Sequence, residues 1–493
     1  MPEGSAGSTP FAMRFLLFVL LVLAGPARAA NVVLILADDL GWKDVGFNGS
    51  EIKTPNLDRM AKEGVQLNRY YAQPTCSPTR ASLMTGKAAF RLGVSLPIDK
   101  NSLTGLPLGE RTLPQVLVEA GYQTGLAGKW HLGHAYTDQL PMARGFDSAY
   151  GHLLGGVGQW DHVHGGGLDW HRNGKALREN GYSTHLLVSE LERLVRGRDP
   201  QQPFFYMLSL ATPHLPNEAP EVTVERYQHI DNANRRVHAA MVDEIDQGIG
   251  RILRLLVEEG IQEDTLVWFM SDNGGLIPGT GVQALDSTIE TLVSWFGVPL
   301  PGQTLEFVRS NIQDGGADNG PYRRGKGSIH EGGVRVPSVV YWPGKLAPRV
   351  VETRISVQDV FPSLLEATDI SPVGRPVFDG VSQWPSITGE RSVQPSDYAT
   401  SGVDGEAFYR ERWKLVVSGG DALLFNLEED PHEQSDLAAQ HSKLVLELRQ
   451  ALENYPRGES IHQTSWWKIA SDPDRFGGPE DRPPWVEQVR VRP

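Results

Sequence analysis

The stretch Asn31-Val-Val-Leu-Ile-Leu-Ala37 is an almost continuous apolar run that ends at two adjacent carboxylates, Asp38 and Asp39. An unbroken apolar run of this length predicts a strand that is buried on both faces, as in a parallel sheet. The runs at 203–210 and 265–270 have the same character. The sequence therefore predicts a central sheet whose two faces are both covered by other parts of the chain.

Helical patterns separate these runs, and each of them ends at a glycine: Pro55–Lys62, Leu113–Glu119 and Arg236–Glu259. The third has a clear apolar stripe, and its acidic residues Asp243, Glu244 and Asp246 lie off that stripe. Strands that alternate with helices predict an α/β domain with a mostly parallel central sheet flanked by helices. We place this domain at residues 30–371.

The pattern changes after Pro372, where a proline- and glycine-containing linker is expected at 372–397. Short strand patterns and one helical pattern then predict a small C-terminal α+β domain at 398–460. Its expected elements are strands at Tyr409–Val417 and Ala422–Leu427 and a helix from about Ser435 to Asn454. The tail at 461–493 is rich in Pro and Trp, which predicts an irregular segment packed on the body of the protein.

The amino-terminal residues have the pattern of a cleavable signal peptide over residues 1–29. Arg14 precedes the apolar run Phe15–Leu23, and Ala27-Arg-Ala29 is an A-x-A cleavage site. No later stretch reaches the roughly 18 apolar residues of a membrane helix. We therefore expect an exported protein with no membrane partner, periplasmic or secreted, or lysosomal if the source is eukaryotic.

The composition limits the class of partner. The 493 residues contain 46 Lys plus Arg against 60 Asp plus Glu, and the formal net charge is −14. This balance argues against nucleic acid as the main partner, and an anionic substrate would need a locally positive pocket. Cys76 is the one cysteine of the chain, so no intramolecular disulfide can form, which favours the periplasm or secretion over the lysosome.

Oxygen-bearing side chains follow two of the predicted strands. Asp38 and Asp39 follow the first strand, and Asp272 and Asn273 follow the strand at 265–270. Adjacent carboxylates at a buried strand end repel each other unless a cation lies between them. A set made only of oxygen donors favours Ca²⁺ or Mg²⁺ over zinc. Taken alone, the first pair is equally consistent with a turn or a helix cap.

A possible nucleophile and several cationic side chains occur at loop positions of the same domain. Arg80 lies four residues after Cys76, so the two share a face at the start of a helix. Lys129 and His131 are two apart, a spacing that directs both side chains the same way in an extended segment. The remaining candidates are His214, after the strand at 203–210, and Lys326, in a Gly-rich turn. Each residue alone has an ordinary structural explanation. Together they supply all the groups that an enzyme needs to hydrolyse an anionic ester.

In these residues the sequence resembles the sulfatase family of the alkaline-phosphatase-like superfamily. The matching motifs extend over nearly the whole mature chain: Leu36-Ala-Asp-Asp-Leu-Gly-Trp42, Cys76-Ser-Pro-Thr-Arg80, Gly128-Lys-Trp-His-Leu-Gly133, Ser271-Asp-Asn-Gly-Gly275, His330-Glu-Gly-Gly-Val-Arg335 and Leu424-Phe-Asn-Leu427. Two further stretches, Tyr150–Gly155 and Asn319–Lys326, resemble the arylsulfatase B branch. The resemblance implies an alkaline-phosphatase-like fold and hydrolysis of a sulfated sugar or aryl sulfate.

The resemblance also implies a role for each site residue. A maturation enzyme that generates formylglycine would oxidise Cys76, and the hydrate of the aldehyde would be the nucleophile. One Ca²⁺ would be held by five residues: Asp38, Asp39, Cys76, Asp272 and Asn273. Arg80 and Lys129 would position the hydrate and stabilise its alkoxide, and His131 would accept the proton that drives sulfate elimination. His214 and Lys326 would contact the sulfate, and one of them would protonate the leaving oxygen.

The chain departs from the family by a long interval between Asn273 and Lys326, where 282–314 is either a binding loop or a neutral surface insertion. The aromatic stretch 159–171 would suit sugar stacking, with packing an equal alternative. Two other functions stay open on the residues alone. One is a phosphomonoester or phosphodiester hydrolase of the same superfamily. The other is a non-catalytic protein that binds sulfated glycans and keeps Cys76 as a thiol.

Overall fold

The computed structural model describes residues 29–277, 315–374, 376–462 and 482–492. Nearly all of the predicted signal peptide, the insertion at 282–314, and Trp466 and Trp467 lie outside the described residues. The strands are, in chain order, β1 (Asn31–Ala37), β2 (Val65–Leu67), β3 (Tyr70–Tyr71), β4 (Gln123–Gly128), β5 (Ser148–Gly151), β6 (Val163–His164), β7 (Gly167–Leu168), β8 (His171–Arg172), β9 (Lys175–Ala176), β10 (Phe204–Ser209), β11 (Thr265–Ser271), β12 (Ser338–Tyr341), β13 (Arg349–Val351), β14 (Ile355–Ser356), β15 (Tyr398–Gly402), β16 (Gly405–Arg410), β17 (Trp413–Ser418) and β18 (Asp421–Asn426).

The helices are α1 (Pro55–Glu63), α2 (Cys76–Thr85), α3 (Leu113–Glu119), α4 (Ser183–Arg196), α5 (Glu221–Val224), α6 (Ala233–Glu258), α7 (Glu331–Val334), α8 (Val360–Ala367), α9 (Trp384–Thr388) and α10 (Ser442–Glu453). Within the described ranges, none of these helices is long and apolar enough to cross a membrane.

The large sheet has the strand order β13-β2-β12-β11-β1-β10-β4-β5-β8-β9. Its central strands β11, β1, β10, β4 and β5 are all parallel. Antiparallel pairings begin on either side, with β12 next to β11 and β8 next to β5. The sheet is therefore mixed: its centre is parallel, antiparallel pairings follow on both sides, and the last pair on one side, β13 with β2, is parallel again. The predicted α/β fold with a small C-terminal domain is confirmed.

Strand β1 explains why the centre of the sheet is buried on both sides. Side chains alternate between the two faces of a strand. Val32, Leu34 and Leu36 belong to one core cluster, together with apolar residues of α2, α3 and α8. Val33 and Ile35 belong to the other, together with apolar residues of α1, α4 and α6. The unbroken apolar run of β1 thus supplies both cores.

Helix α6 begins three residues before its predicted start. Its carboxylates lie off the apolar stripe, yet Asp243, Glu244 and Asp246 are all buried, because α1, α4 and α5 cover the helix. Asp246 accepts hydrogen bonds from the backbone N–H groups of Asn56 and Leu57 at the start of α1 (3.0 and 2.8 Å). These acidic side chains bind polar groups of neighbouring elements, which a helical wheel of α6 alone does not show.

The C-terminal domain consists of the antiparallel sheet β15-β16-β17-β18 with α10 packed on it. The single strand predicted at 409–417 is wrong: the structure divides it into the end of β16 and β17, with Glu411 in the turn between them at a φ of 51°. The helix also begins at Ser442, later than the predicted Ser435.

A buried ionic cluster joins the two domains. Lys414 of β17 lies 3.1 Å from Glu331 of α7 and 2.8 Å from Glu433. The side chains of all three are fully buried. Tyr71 of β3 donates a hydrogen bond to Glu331 (2.6 Å). Burial favours the neutral form of Glu433, but Lys414 and His330 outweigh burial and lower its pKa to about 2.

We expect Lys414→Met to lower the free energy of unfolding by about 3–5 kcal/mol, because the substitution leaves two buried carboxylates without their cation. Chemical denaturation at neutral pH measures this loss, and Lys443→Met at an exposed position of α10 is the matched control. The ionised Glu433 contributes stability above its unfolded pKa of about 4.5, so the loss should shrink as the pH falls toward 2. Equal stability of the two variants would contradict the role of this cluster.

Candidate active site

The parallel centre of the sheet brings the candidate residues to one edge. In the strand register Ala37 lies beside Ser271, and Gly128 lies beside Ser209. The residues that follow β1, β4, β10 and β11 therefore converge, because the carboxyl ends of parallel strands meet at the same edge. Helix α2 and a loop before α7 reach the same place. The structure places all of the predicted site residues in this region: Asp38, Asp39, Cys76, Arg80, Lys129, His131, His214, Asp272, Asn273 and Lys326.

Helix α2 places Cys76 and Arg80 in the site. Cys76 is the first residue of the helix and is 2% exposed. Arg80, one turn later, donates two hydrogen bonds to Oδ2 of Asp272 (3.1 and 2.9 Å). Its guanidinium also donates to Oγ of Ser209 (2.6 Å) and to the carbonyl of Lys129 (2.9 Å). Arg80 therefore ties the helix to three neighbouring strand ends.

The segment after β4 places Lys129 and His131. The ammonium of Lys129 donates to Oδ2 of Asp38 (2.5 Å), and both side chains are fully buried. Gly128 has a φ of 122°, and a Cβ there would lie 1.7 Å from the carbonyl of Ser209, so only glycine fits. The extended conformation expected for this segment is wrong at His131, which has a left-handed φ of 57° because the chain turns there.

Asp39 is the partner of three side chains. It accepts hydrogen bonds from Lys326 (2.6 Å) and from Nδ2 of Asn273 (2.7 Å), and Nε2 of His214 lies 3.7 Å away. Burial by itself would raise the pKa of Asp39, but Lys326 and His214 outweigh burial and hold it well below its usual range. Burial, together with the charge of Lys326, lowers the pKa of His214 to about 3. His214 is therefore neutral at neutral pH in this structure.

The oxygen donors at this edge fit a divalent cation. Among the described residues, Oδ1 of Asp38 and Oδ1 of Asn273 are buried without a hydrogen-bond partner. One donor atom each from Asp38, Cys76 and Asp272 lies within 4.8 Å of the others. Burial, and next the charge of Asp38, raise the pKa of Asp272 to about 6. A hard cation would satisfy the orphaned oxygens and relieve this repulsion, so the residues fit Ca²⁺ or Mg²⁺.

Burial also affects the candidate nucleophile and its neighbour. It raises the pKa of the Cys76 thiol, although Lys129 and Lys326 act in the opposite direction. An unmodified Cys76 is therefore a neutral thiol, a weak nucleophile, at neutral pH. Burial and the charge of Lys129 hold the pKa of His131 well below its usual value, and its Nε2 lies 3.0 Å from the carbonyl of Ile98.

Asp169, which no sequence motif indicated as a site residue, binds the backbone of a loop that packs against the site. Its two carboxylate oxygens accept hydrogen bonds from the first two backbone N–H groups of the loop 153–156 (3.0 and 2.8 Å). A Cβ on Gly155 of this loop would lie 2.7 Å from the ring of His131, and one on the next residue would lie 2.9 Å from His214. The loop thus contacts both imidazoles. Its glycine pair was the available signal in the sequence.

The aromatic stretch 159–171 divides into a buried part and an exposed part. Trp170 is 1% exposed and stacks on His162 (centroids 4.3 Å apart), so its role is packing. Trp160 is 47% exposed. In the tail, the indole of Trp485 is buried and donates to the carbonyl of His164 (2.7 Å).

Several known proteins are similar to this chain in sequence or in fold. The Sulfatase family model matches residues 30–370. Arylsulfatase J of Mus musculus is 30% identical over 86% of this chain and 75% of its own length. N-acetylgalactosamine-6-sulfatase of Mus musculus is 32% identical over 77% of this chain and 70% of its own. A crystal structure of Ps i-CgsB in complex with k-i-k-neocarrahexaose is 28% identical, with a TM-score of 0.76 over 90% of this chain and 98% of that one.

The family match covers more than half of the chain, and the relatives are similar over most of their own lengths. The fold, with its parallel central strands and antiparallel C-terminal sheet, is that of its structural neighbours. The chain therefore belongs to the sulfatase family and is an enzyme that hydrolyses sulfate esters.

Proposed function

We propose that this sulfatase removes sulfate from a sulfated carbohydrate or an aryl sulfate, with formylglycine formed from Cys76 and one bound Ca²⁺. The observation that carries the proposal is the position of Cys76 at the start of a buried helix, in a cluster with Asp38 and Asp272. Carbohydrate is favoured because one relative is named for N-acetylgalactosamine and one similar structure is a complex with k-i-k-neocarrahexaose. The arylsulfatase B-like branch is our preferred placement within the family.

The charges of the site support an anionic substrate. Each of three buried carboxylates is paired with a cation of the chain: Asp38 with Lys129, Asp39 with Lys326, and Asp272 with Arg80. The fixed charges therefore balance before any metal binds. A divalent cation would leave the site with a surplus of about two positive charges, which attracts a sulfate ester although the whole chain has a net charge of −14.

Cys76 lies in Cys76-Ser-Pro-Thr-Arg80, the string that a formylglycine-generating enzyme recognises in the family that the sequence resembles. Every residue of this string is buried. We infer that oxidation precedes the packing of α2, because a folded chain presents no accessible thiol. When formed, the hydrated aldehyde supplies a hydroxyl nucleophile for sulfur and a second hydroxyl that allows the sulfate to be released.

The side chains around Cys76 have distinct proposed roles. Asp38, Asp39, Asp272 and Asn273 would hold the calcium ion together with residue 76, and the ion would neutralise charge on the sulfate oxygens. Arg80 and Lys129 orient residue 76 and stabilise negative charge on its oxygen. His131 accepts a proton from residue 76 during sulfate release. His214 and Lys326 contact the sulfate, and one of them protonates the leaving oxygen.

We also propose that the protein is exported, with the signal peptide cleaved after Ala29, and that it is periplasmic or secreted, or lysosomal in a eukaryotic source. The apolar run 15–23 and the A-x-A site support export. Neither nucleic acid nor a membrane is a partner in this proposal.

Oxidation of Cys76 can be tested directly. The mass of the tryptic peptide Tyr70–Arg80, from protein made in its native host, should be that of an aldehyde at position 76. Cys76→Ala should reduce kcat toward 4-nitrophenyl sulfate by about 10³-fold or more, since the nucleophile is lost. Ser82→Ala, also buried on α2, is the control that keeps activity. A free thiol in the active native protein would overturn the formylglycine proposal.

Calcium binding should be measurable without a substrate. Adding Ca²⁺ to protein freed of metal by a chelator should raise the thermal midpoint, because only the folded state has the assembled ligands. Asp38→Asn should weaken this response strongly. Asp264 is an exposed acid directly before the first residue of β11, at the end of the strand away from the site. Asp264→Asn should leave the response to Ca²⁺ unchanged. A larger response to Mg²⁺ than to Ca²⁺ would contradict the choice of metal.

The proposed sulfate contacts predict a kinetic loss. Lys326→Ala and His214→Ala should each reduce kcat/KM toward an aryl sulfate by about 10²-fold or more, because each removes a donor to a developing charge. Lys345→Ala at an exposed position is the control. The residue that protonates the leaving oxygen should show the greater loss as the pKa of the leaving group rises. Unchanged kcat and KM in both variants would show that the two roles are assigned wrongly.

A further inference from the structure

Lys326 lies between two glycines in the loop Arg323–His330, which we call the lysine loop. Gly327 has a φ of 85°. Glycine restricts the backbone less than any other residue, so a Gly-Lys-Gly segment does not hold its lysine in place by itself. Contacts from outside the loop must therefore determine where the ammonium of Lys326 lies.

The catalytic domain supplies several of these contacts, including the bond from the ammonium to Asp39 (2.6 Å). The N–H of Lys326 donates to the carbonyl of Gly275, just after β11 (3.0 Å). The N–H of Gly327 donates to the carbonyl of Pro74, two residues before Cys76 (2.8 Å). The lysine loop is thus tied on one side to the chain segments that bear the proposed metal ligands and the nucleophile.

Further contacts come from the turn between β15 and β16 of the C-terminal domain. Asp404 in this turn accepts hydrogen bonds from Oγ of Ser328 (2.6 Å) and from the N–H of Ile329 (2.9 Å). The N–H of Val403 donates to the carbonyl of Gly327 (2.8 Å). Three consecutive residues directly after Lys326 are therefore each bonded to this turn.

The approach of the turn to the loop is close. A Cβ on Gly402, the last residue of β15, would lie 2.4 Å from the carbonyl of Gly327. Among the described residues, Asp404 forms an ion pair only with Arg324. The guanidinium of Arg324 is 3.6 Å from the carboxylate, and its side chain is 41% exposed. The carboxylate of Asp404 is thus directed mainly at neutral donors of the lysine loop, and its contribution is a matter of placement more than of charge.

These bonds are not needed to join the two domains. The buried cluster of Lys414 with Glu331 and Glu433 already does so, as does an apolar cluster that includes Tyr71 and Tyr398. Removing Asp404 should therefore leave the domains together while the lysine loop loses two of its bonds. This separates a role in the site from a role in overall stability.

We propose that Asp404 is a positioning residue that fixes Lys326 from the C-terminal domain, by binding the lysine loop immediately after it. The inference rests on the proposed contact of Lys326 with the sulfate. It implies that the C-terminal domain completes the active site without placing a side chain in it.

The test compares Asp404→Ala with Asp404→Asn in the mature, calcium-loaded enzyme with 4-nitrophenyl sulfate. Asp404→Ala should lower kcat/KM about tenfold or more and divide the loss between kcat and KM as Lys326→Ala does. Asp404→Asn should restore most of the activity, because its carbonyl still accepts from Ile329 and its amide can donate to Ser328. Asp421→Ala, at the exposed start of β18, is the control. Thermal midpoints close to that of the wild type show that the variants are folded.

A double mutant decides between the explanations. If Asp404 acts through Lys326, the variant with both alanines should be no less active than Lys326→Ala alone. If the losses of the two single variants multiplied in the double variant, the proposal would be overturned. An unchanged kcat/KM in Asp404→Ala would also overturn it. Should Asp404→Ala fold poorly, Ser328→Ala tests the same link by removing one bond, and wild-type activity there would count against it. If Lys326→Ala instead kept the kcat and KM of the wild type, the assigned role of Lys326 would be refuted.

Discussion

Three carboxylates are buried at one edge of the parallel sheet, and their mutual repulsion is the constraint on which the rest of the site depends. Asp38, Asp39 and Asp272 follow adjacent strands, so the sheet itself brings them together. Such a cluster is stable only if cations of the chain or a metal lie among its members. The pairing of each carboxylate with one Lys or Arg shows how this chain meets that requirement.

The three cations reach the carboxylates from three separate parts of the chain. Arg80 comes from helix α2, Lys129 from the end of β4, and Lys326 from the lysine loop. The backbone close to these pairs is unusual: Asp39 and His131 both have left-handed φ values, of 67° and 57°. Non-glycine residues adopt such conformations at a cost, in turns and at functional sites, where surrounding structure holds them. The left-handed backbone at Asp39 and His131 therefore occurs in the same region as the carboxylate–cation pairs.

The C-terminal domain also becomes part of this arrangement. It binds the catalytic domain through a buried ionic cluster around Lys414, and its first hairpin contacts the loop that bears Lys326. In our proposal this hairpin fixes the position of Lys326 through the backbone and Ser328 of the lysine loop. The same logic applies to Asp169, whose carboxylate orders the loop packed against His131 and His214.

The sequence by itself determined the α/β class, the central strands and the residue types of the site. Apolar runs such as that of β1, with polar residues at their ends, depend on local chain chemistry that is visible in one dimension. The tertiary structure alone decided which groups pair. The partners Asp404 and Ser328 are far apart in the chain, and the burial of Asp243 depends on helices packed around α6. Such pairings arise from the crossing of distant segments, and periodicity within one segment contains no information about its neighbours in space.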